Sequence, residues 1–321
     1  MLSLATPAIC SQSAPSQEEW ALLHTPPPIL ESDSLNRALS QLQLVSVPKT
    51  GSALLEDFAR RHAVNWGYFR EDWPGGRCVW GCDDKRWQVC STWKIPPAIY
   101  RANGYTLYGD KASFCTVRHP YTRTISEYLE QGGSCDANGL NLAVQSVLLE
   151  IGTSIAVLER EFPANVTANA VSRALSRVAT VQIPNSSDPS SDCHWLPQWT
   201  WASGGCETAL HAESLAHEFA ALVQAWGAAV DQTELHELHE PPSEPDECAL
   251  SVGDLNEDSL KLLRRHYQRD FIEFGYDPEV FPTRPAFPEA SFSKQTLGGP
   301  IKVFAADRVT GGYGARGRGR T

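Results

Sequence analysis

The sequence contains no run of about 18 uninterrupted apolar residues, and its opening MLSLATPAICSQSAPSQEEW lacks the basic n-region and long apolar stretch of a signal peptide. These absences predict a chain with no transmembrane helix of its own. Positive charge is also scarce. Twenty-seven Lys+Arg stand against 38 Asp+Glu, a net charge of -11, which disfavours broad electrostatic binding to nucleic acid or an anionic membrane. A local basic pocket for a small anion is compatible with that balance. The GxxxxGK[ST] order of a Walker A loop is missing, so ATP hydrolysis through the usual P-loop arrangement is not expected. Zinc signatures are incomplete as well. His236 and His239 lie three apart where HExxH needs four, and Cys78, Cys82 and Cys90 have no second pair at suitable spacing. No metal site is expected.

What the chain does have in quantity is cysteine and tryptophan. Nine cysteines and two glycosylation sequons, Asn165-Val166-Thr167 and Asn185-Ser186-Ser187, point to an oxidising, lumenal setting. In that setting a disulfide is expected among Cys78, Cys82 and Cys90, and a second between Cys193 and Cys206, which flank the Trp195 to Trp201 segment. Trp66, Trp73, Trp80, Trp87 and Trp93 are interleaved with Arg70, Arg77, Lys85 and Arg86. Two readings fit them: an acceptor cleft for an anionic glycan, or the core of a small disulfide-tied subdomain.

Three segments divide the chain. Residues 1–35, rich in Pro, Ser, Thr and Ala, read as a disordered lead-in; 36–290 read as one folded domain; 291–321 run into a low-complexity Gly/Arg tail. Within the domain, short apolar runs alternate with helical periodicity. Leu42 to Val47 reads as a strand followed by a helix through Leu54, Leu55 and Phe58, and Ser113 to Val117 as a strand followed by a helix through Tyr128. Asn141 to Glu161 and Val171 to Val178 read as helices and Ala179 to Ile183 as a strand. Stripes at Leu215 to Trp226 and Leu260 to Phe274 mark two further helices, the latter with Asn256 as N-cap. The alternation predicts an α/β fold, a single P-loop-like domain with a central parallel sheet flanked by helices. Ligands of such sheets bind at the carboxyl ends of the strands.

Two loops fall there. The first, Val47-Pro48-Lys49-Thr50-Gly51-Ser52-Ala53, combines a permissive glycine, helix-terminal amides, hydroxyls on Thr50 and Ser52 and the point charge of Lys49, the ingredients of an anion cradle. The second is Arg118-His119-Pro120 through Tyr128. It sets Arg118 at a strand end and Ser126 about two turns up the following helix, where a fork and a hydroxyl can hold a phosphate.

These two segments resemble the 5′-phosphosulfate loop and the 3′-phosphate segment of sulfotransferases that use 3′-phosphoadenosine 5′-phosphosulfate (PAPS). Two further stretches, Asp192-Cys193-His194-Trp195-Leu196-Pro197-Gln198 and Tyr267 through Tyr276, are similar to segments of the membrane-associated carbohydrate sulfotransferases. The resemblance covers four islands within about residues 42 to 280; the stretches between them, notably 66–100 and 205–250, carry no part of it. It implies transfer of a sulfonate from PAPS to a hydroxyl of a carbohydrate acceptor, without a metal and without nucleic acid as partner. It also implies residence in the Golgi lumen, membrane-associated if an anchor precedes this chain and soluble otherwise. Lys49, Thr50, Gly51, Ser52, Ala53, Arg118 and Ser126 would hold the cofactor, with Lys49 also neutralising charge on the leaving phosphate. His194 is the first choice for the base, with Glu56 and His119 as alternatives and a structural role for His194 equally open. Lys94 stands where related enzymes can carry a histidine base. Two other functions are compatible with the same loops: an ATP-dependent phosphotransferase, or a glycan-binding protein that keeps the fold without catalysis.

Overall fold

The computed structural model describes residues 34–64, 66, 96–97, 111–161, 174, 178, 193–203, 205–236, 238 and 248–282. Along the chain the elements are α1 (Ser34–Gln41), β1 (Leu42–Val45), α2 (Ser52–Arg61), β2 (Ala112–Val117), α3 (Pro120–Glu130) and α4 (Ala137–Glu161). They continue as α5 (Trp199–Ala202), β3 (Thr208–His211), α6 (Leu215–Ala225), α7 (Gln232–His236), α8 (Glu257–His266) and α9 (Gln268–Phe274). The three strands form one parallel sheet in the order β1-β2-β3, with Leu44 opposite Phe114 and Val117 opposite His211. Parallel pairing puts the three carboxyl ends at one edge of the sheet.

Both faces of this sheet are covered, which is why β1 and β2 carry apolar residues without strict alternation. On one face Leu42, Leu44, Phe114 and Leu210 pack with Leu39 of α1, Phe58 of α2 and Phe219 of α6. On the other, Val45, Cys115, Val117 and Ala209 pack with Tyr121 of α3, Val147 and Ile151 of α4, and Leu263 and Phe271 of α8 and α9. The sequence expectation of an α/β architecture with a parallel sheet between helices holds at this level. Trp66 belongs to the first core: it is buried against Phe114 and Phe219, with Nε1 donating to the carbonyl of Leu42 at 2.9 Å. It therefore serves packing and not an acceptor cleft; Trp73, Trp80, Trp87, Trp93 and Lys94 lie outside the described residues.

Helix boundaries follow local chemistry. Pro120 opens α3, where a missing N–H costs nothing, and His119 caps it by accepting from the amide of Tyr121. Asn256 accepts from the amide of Ser259 at 2.9 Å, with Glu257 and Asp258 in the first turn of α8, as its sequence predicts. The stripe from Leu260 to Phe274 is two helices and not one. The chain breaks at Tyr267, whose buried side chain donates its hydroxyl to the carbonyl of Trp195. Helix α4 is by length and composition apolar enough to cross a membrane, but half of that stretch is buried, with Leu140, Val144, Leu148 and Leu158 in the core.

The third strand of the sheet is Thr208–His211, which sequence reading leaves unassigned; the expected strand at residues 179–183 lies outside the described residues. One expectation needs correction. The disulfide expected between Cys193 and Cys206 is not formed. Cys206 pairs with Cys115, at a Cα separation of 5.7 Å. Strand pairing dictates this choice: the amide of Glu207 donates to the carbonyl of Ser113, so the lead-in to β3 runs beside β2 and brings the two cysteines together. Cys193 is disulfide-bonded too, but not to Cys206. A further bridge, Cys135–Cys248, ties the turn after α3 to the segment before α8. Covalent pairing at these positions accords with an oxidising compartment. Cys78, Cys82 and Cys90 lie outside the described residues.

Candidate functional site

The loop after β1 is built to keep its backbone in one shape. The hydroxyl of Thr50, fully buried, donates to the carbonyl of Val47 at 2.8 Å and meets the hydroxyl of Thr116 on β2 at 2.6 Å. Ser52 contacts Ser46 at 3.1 Å, hydroxyl to hydroxyl. These hydroxyls hold the loop. Gly51 takes φ +84°, a conformation that a side chain disfavours, and ends the turn at the first residue of α2, so Ser52 and the exposed Ala53 begin a helix whose amide end faces the carboxyl edge. Lys49 also has positive φ, +64°. A lysine there is strained, and such strain persists where the surrounding loop over-determines it. Its ammonium reaches across to the carboxylate of Glu130 at the end of α3.

Arg118 leaves the end of β2 at the same edge. Its backbone is clamped by a side-chain amide: Gln198 Oε1 accepts from the Arg118 amide at 2.8 Å, and Gln198 Nε2 donates to the Arg118 carbonyl at 2.7 Å. Ser126 lies half-buried on α3. Arg123, Ser126, Glu127 and Glu130 are spaced i, i+3, i+4 and i+7, hence on one face of that helix. Two of them touch the first loop. Arg123 donates from Nε to the carbonyl of Pro48 at 2.9 Å, and Glu130 pairs with Lys49. Ser126 shares that helix face with them.

The segment 193–198 is locked between these pieces. Arg123, 3% exposed, continues from Pro48 to the carbonyls of Leu196 at 2.9 Å and His194 at 2.5 Å. Asp270 on α9 accepts from the amides of Gln198 and Trp199, each at 2.8 Å. Burial pushes the Asp270 carboxyl up to about 6, against the pull of those two amides and of Arg123. Together these contacts join all four sequence islands into one assembly.

The three base candidates differ in what their surroundings allow. His194 is nearly buried, and its Nδ1 lies 2.6 Å from Glu127 Oε2. With Nδ1–H donating to the carboxylate, Nε2 carries the lone pair, the tautomer that a general base uses. His119 has both ring nitrogens engaged in the fold. Nδ1 accepts from the Tyr121 amide, Nε2 faces the Asp277 carbonyl at 3.4 Å, and burial lowers its pKa. Glu56 is buried on the face of α2 that packs inward.

Sequence reading did not single out Arg123, Glu127, Gln198, Asp270 or Glu213. Glu213 accepts from the His119 amide at 2.8 Å and from the Tyr276 hydroxyl at 2.9 Å, closing the edge beside β3. The first four all stand inside the segments that carry the family resemblance, which is the signal that could have found them, although it does not give their partners. Among the described residues no cluster of His, Cys, Asp and Glu is arranged to hold a metal ion. No protein-family model, curated protein or solved structure matches the chain.

Proposed function

We propose that the protein is a PAPS-dependent sulfotransferase acting on a carbohydrate hydroxyl, with the carboxyl edge of its parallel sheet as a P-loop-like cofactor site. The observation that carries this reading is the convergence on Arg123. One buried guanidinium binds the cradle at Pro48 and the segment of His194 and Leu196, so three of the islands that resemble the family meet at one side chain. The fourth joins them through Asp270. In this reading the amides of Gly51, Ser52 and Ala53 and the ammonium of Lys49 hold the 5′-phosphosulfate. Arg118 and Ser126 hold the 3′-phosphate that separates this cofactor from ATP. Thr50 contributes through the shape of the loop, because its hydroxyl is already bound to Val47.

The residues then divide the transfer between them. His194 Nε2 takes the proton of the acceptor hydroxyl as its oxygen bonds to sulfur, and Glu127 stabilises the imidazolium that forms. The bond between sulfur and the bridging phosphate oxygen breaks with its electron pair moving to that oxygen, where Lys49 balances the charge. A lumenal Golgi location suits the disulfides.

The test is calorimetric titration of the full chain with 3′,5′-bisphosphoadenosine, with AMP and ATP alongside, on wild type and Arg118→Ala. Binding that requires the 3′-phosphate and weakens at least tenfold in the variant is the expected result. ATP bound as tightly as the bisphosphate would overturn the reading in favour of a phosphotransferase.

A further inference from the structure

The cradle is rigid in its backbone and movable at one side chain. Arg123 fixes the carbonyl of Pro48 immediately before Lys49, and Thr50 immediately after it is bound to Val47 and Thr116. The Lys49 Cα, held at φ +64°, is thereby pinned on both sides. Four rotatable bonds separate it from an ammonium that lies on Glu130, a carboxylate 52% exposed. An anion already sits on the cationic group of the cradle, and that anion belongs to the protein. Glu130 is one helical turn beyond Ser126, on the face of α3 that approaches the loop.

We infer that Glu130 is the resting counter-ion of Lys49, a positioning residue that the phosphate groups of the ligand displace; this rests on the cofactor reading above. Lys49 has two berths. In the first it is neutralised by Glu130 and drawn toward α3. In the second it turns away from Glu130 to the anion in the cradle. The exchange is conditional. Every ligand that recruits Lys49 incurs the same loss of the ion pair, so Glu130 lowers affinity by a fixed factor that depends on Lys49 being present. An acidic group beside an anion site would otherwise only weaken it by repulsion, and the direct contact with Lys49 gives it the second role.

The distinguishing experiment is a double-mutant cycle on the full chain, with Glu130→Gln, Lys49→Ala and the pair titrated with 3′,5′-bisphosphoadenosine and with AMP. Thermal unfolding of each variant verifies that it is folded. Glu130→Gln should tighten the bisphosphate and AMP alike, about three- to tenfold, because both bring the 5′-phosphate that meets Lys49, and its effect on the bisphosphate should fall below about twofold once Lys49 is alanine. An equal gain in the alanine background would mean simple repulsion and would overturn the displaced counter-ion. No gain at all in Glu130→Gln, with the bisphosphate still bound by wild type, would overturn it while sparing the cofactor reading. Failure of wild type and every variant to bind the bisphosphate would remove both.

Discussion

Arg123 Nε donates to the carbonyl of Pro48 at 2.9 Å while its two terminal nitrogens reach the carbonyls of Leu196 and His194. The geometry needs a planar fork with several donors in fixed directions, which an ammonium on a flexible stem does not supply. Its charge is balanced within the core by Asp270 and Glu127. The candidate site thus depends on a residue that need not touch any ligand.

Replacing Arg123 by lysine keeps the charge and loses the fork. At least two buried carbonyls then lack a donor, and the expected cost is about 2–4 kcal/mol of folding stability. Urea denaturation followed by tryptophan fluorescence measures it, since Trp195, Trp199 and Trp201 are all buried in this core. A midpoint equal to that of wild type would mean that the carbonyls find other partners and that the guanidinium is not the joint between the islands.

Asp270 gives a pH signature. Burial raises its carboxyl from an ordinary 3.8 to about 6, so the folded state binds the proton more tightly than the unfolded chain. With a folded value above the unfolded one, its stabilising contribution is fully present below about pH 4 and is lost as pH rises through about 6. The integrated loss is about 3 kcal/mol, at 1.36 kcal/mol per unit. Asparagine cannot titrate, and it offers one acceptor oxygen to two amides. Asp270→Asn should therefore be least stable relative to wild type near pH 4, with the gap narrowing toward pH 7 in urea midpoints. Parallel curves for the two proteins would exclude Asp270 as the titrating group.

The parts of the fold legible in the sequence are those decided locally. Strands β1 and β2, the helices that follow them and the cap at Asn256 announce themselves through apolar runs, spacing and turn residues. Strand β3 did not. Thr208-Ala209-Leu210-His211 is four residues long, offers little β-branched character, and becomes a strand by pairing with Phe114 to Val117. The disulfide Cys115–Cys206 escaped for the same reason, since strand register and not spacing brings its halves together across 91 residues. At the site, Lys49, Gly51 and Arg118 were readable because loop chemistry is local. Arg123, Gln198 and Asp270 act through partners some 70 to 80 positions away in sequence, and composition alone says nothing about such contacts.

The segment Phe274 to Pro278 is where two histidines with opposite shifts meet. His211 has acceptors at both ring nitrogens, Glu218 at Nδ1 and the Phe274 carbonyl 2.9 Å from Nε2, so satisfying both requires an imidazolium; the bond to Glu218 raises its pKa against the effect of burial. His119 accepts at Nδ1 from the Tyr121 amide and faces the Asp277 carbonyl with Nε2, so it is held neutral, and burial lowers its pKa. The raised group stabilises the fold below the ordinary value of 6.5 and loses that contribution as pH rises through its folded value. The lowered group stabilises above 6.5 and loses its contribution as pH falls through its folded value. Both hold the segment near 6.5, and each lets go on its own side. Hydrogen exchange of the Gly275, Tyr276 and Asp277 amides, corrected for the intrinsic pH dependence of exchange, should show greatest protection near that pH and a decline in both directions. Glu218→Gln should remove the alkaline half of the decline by bringing His211 back toward or below its ordinary value. Protection that is flat with pH would mean that Tyr276 on Glu213 and Tyr121 on the Pro278 carbonyl hold the segment without either imidazole.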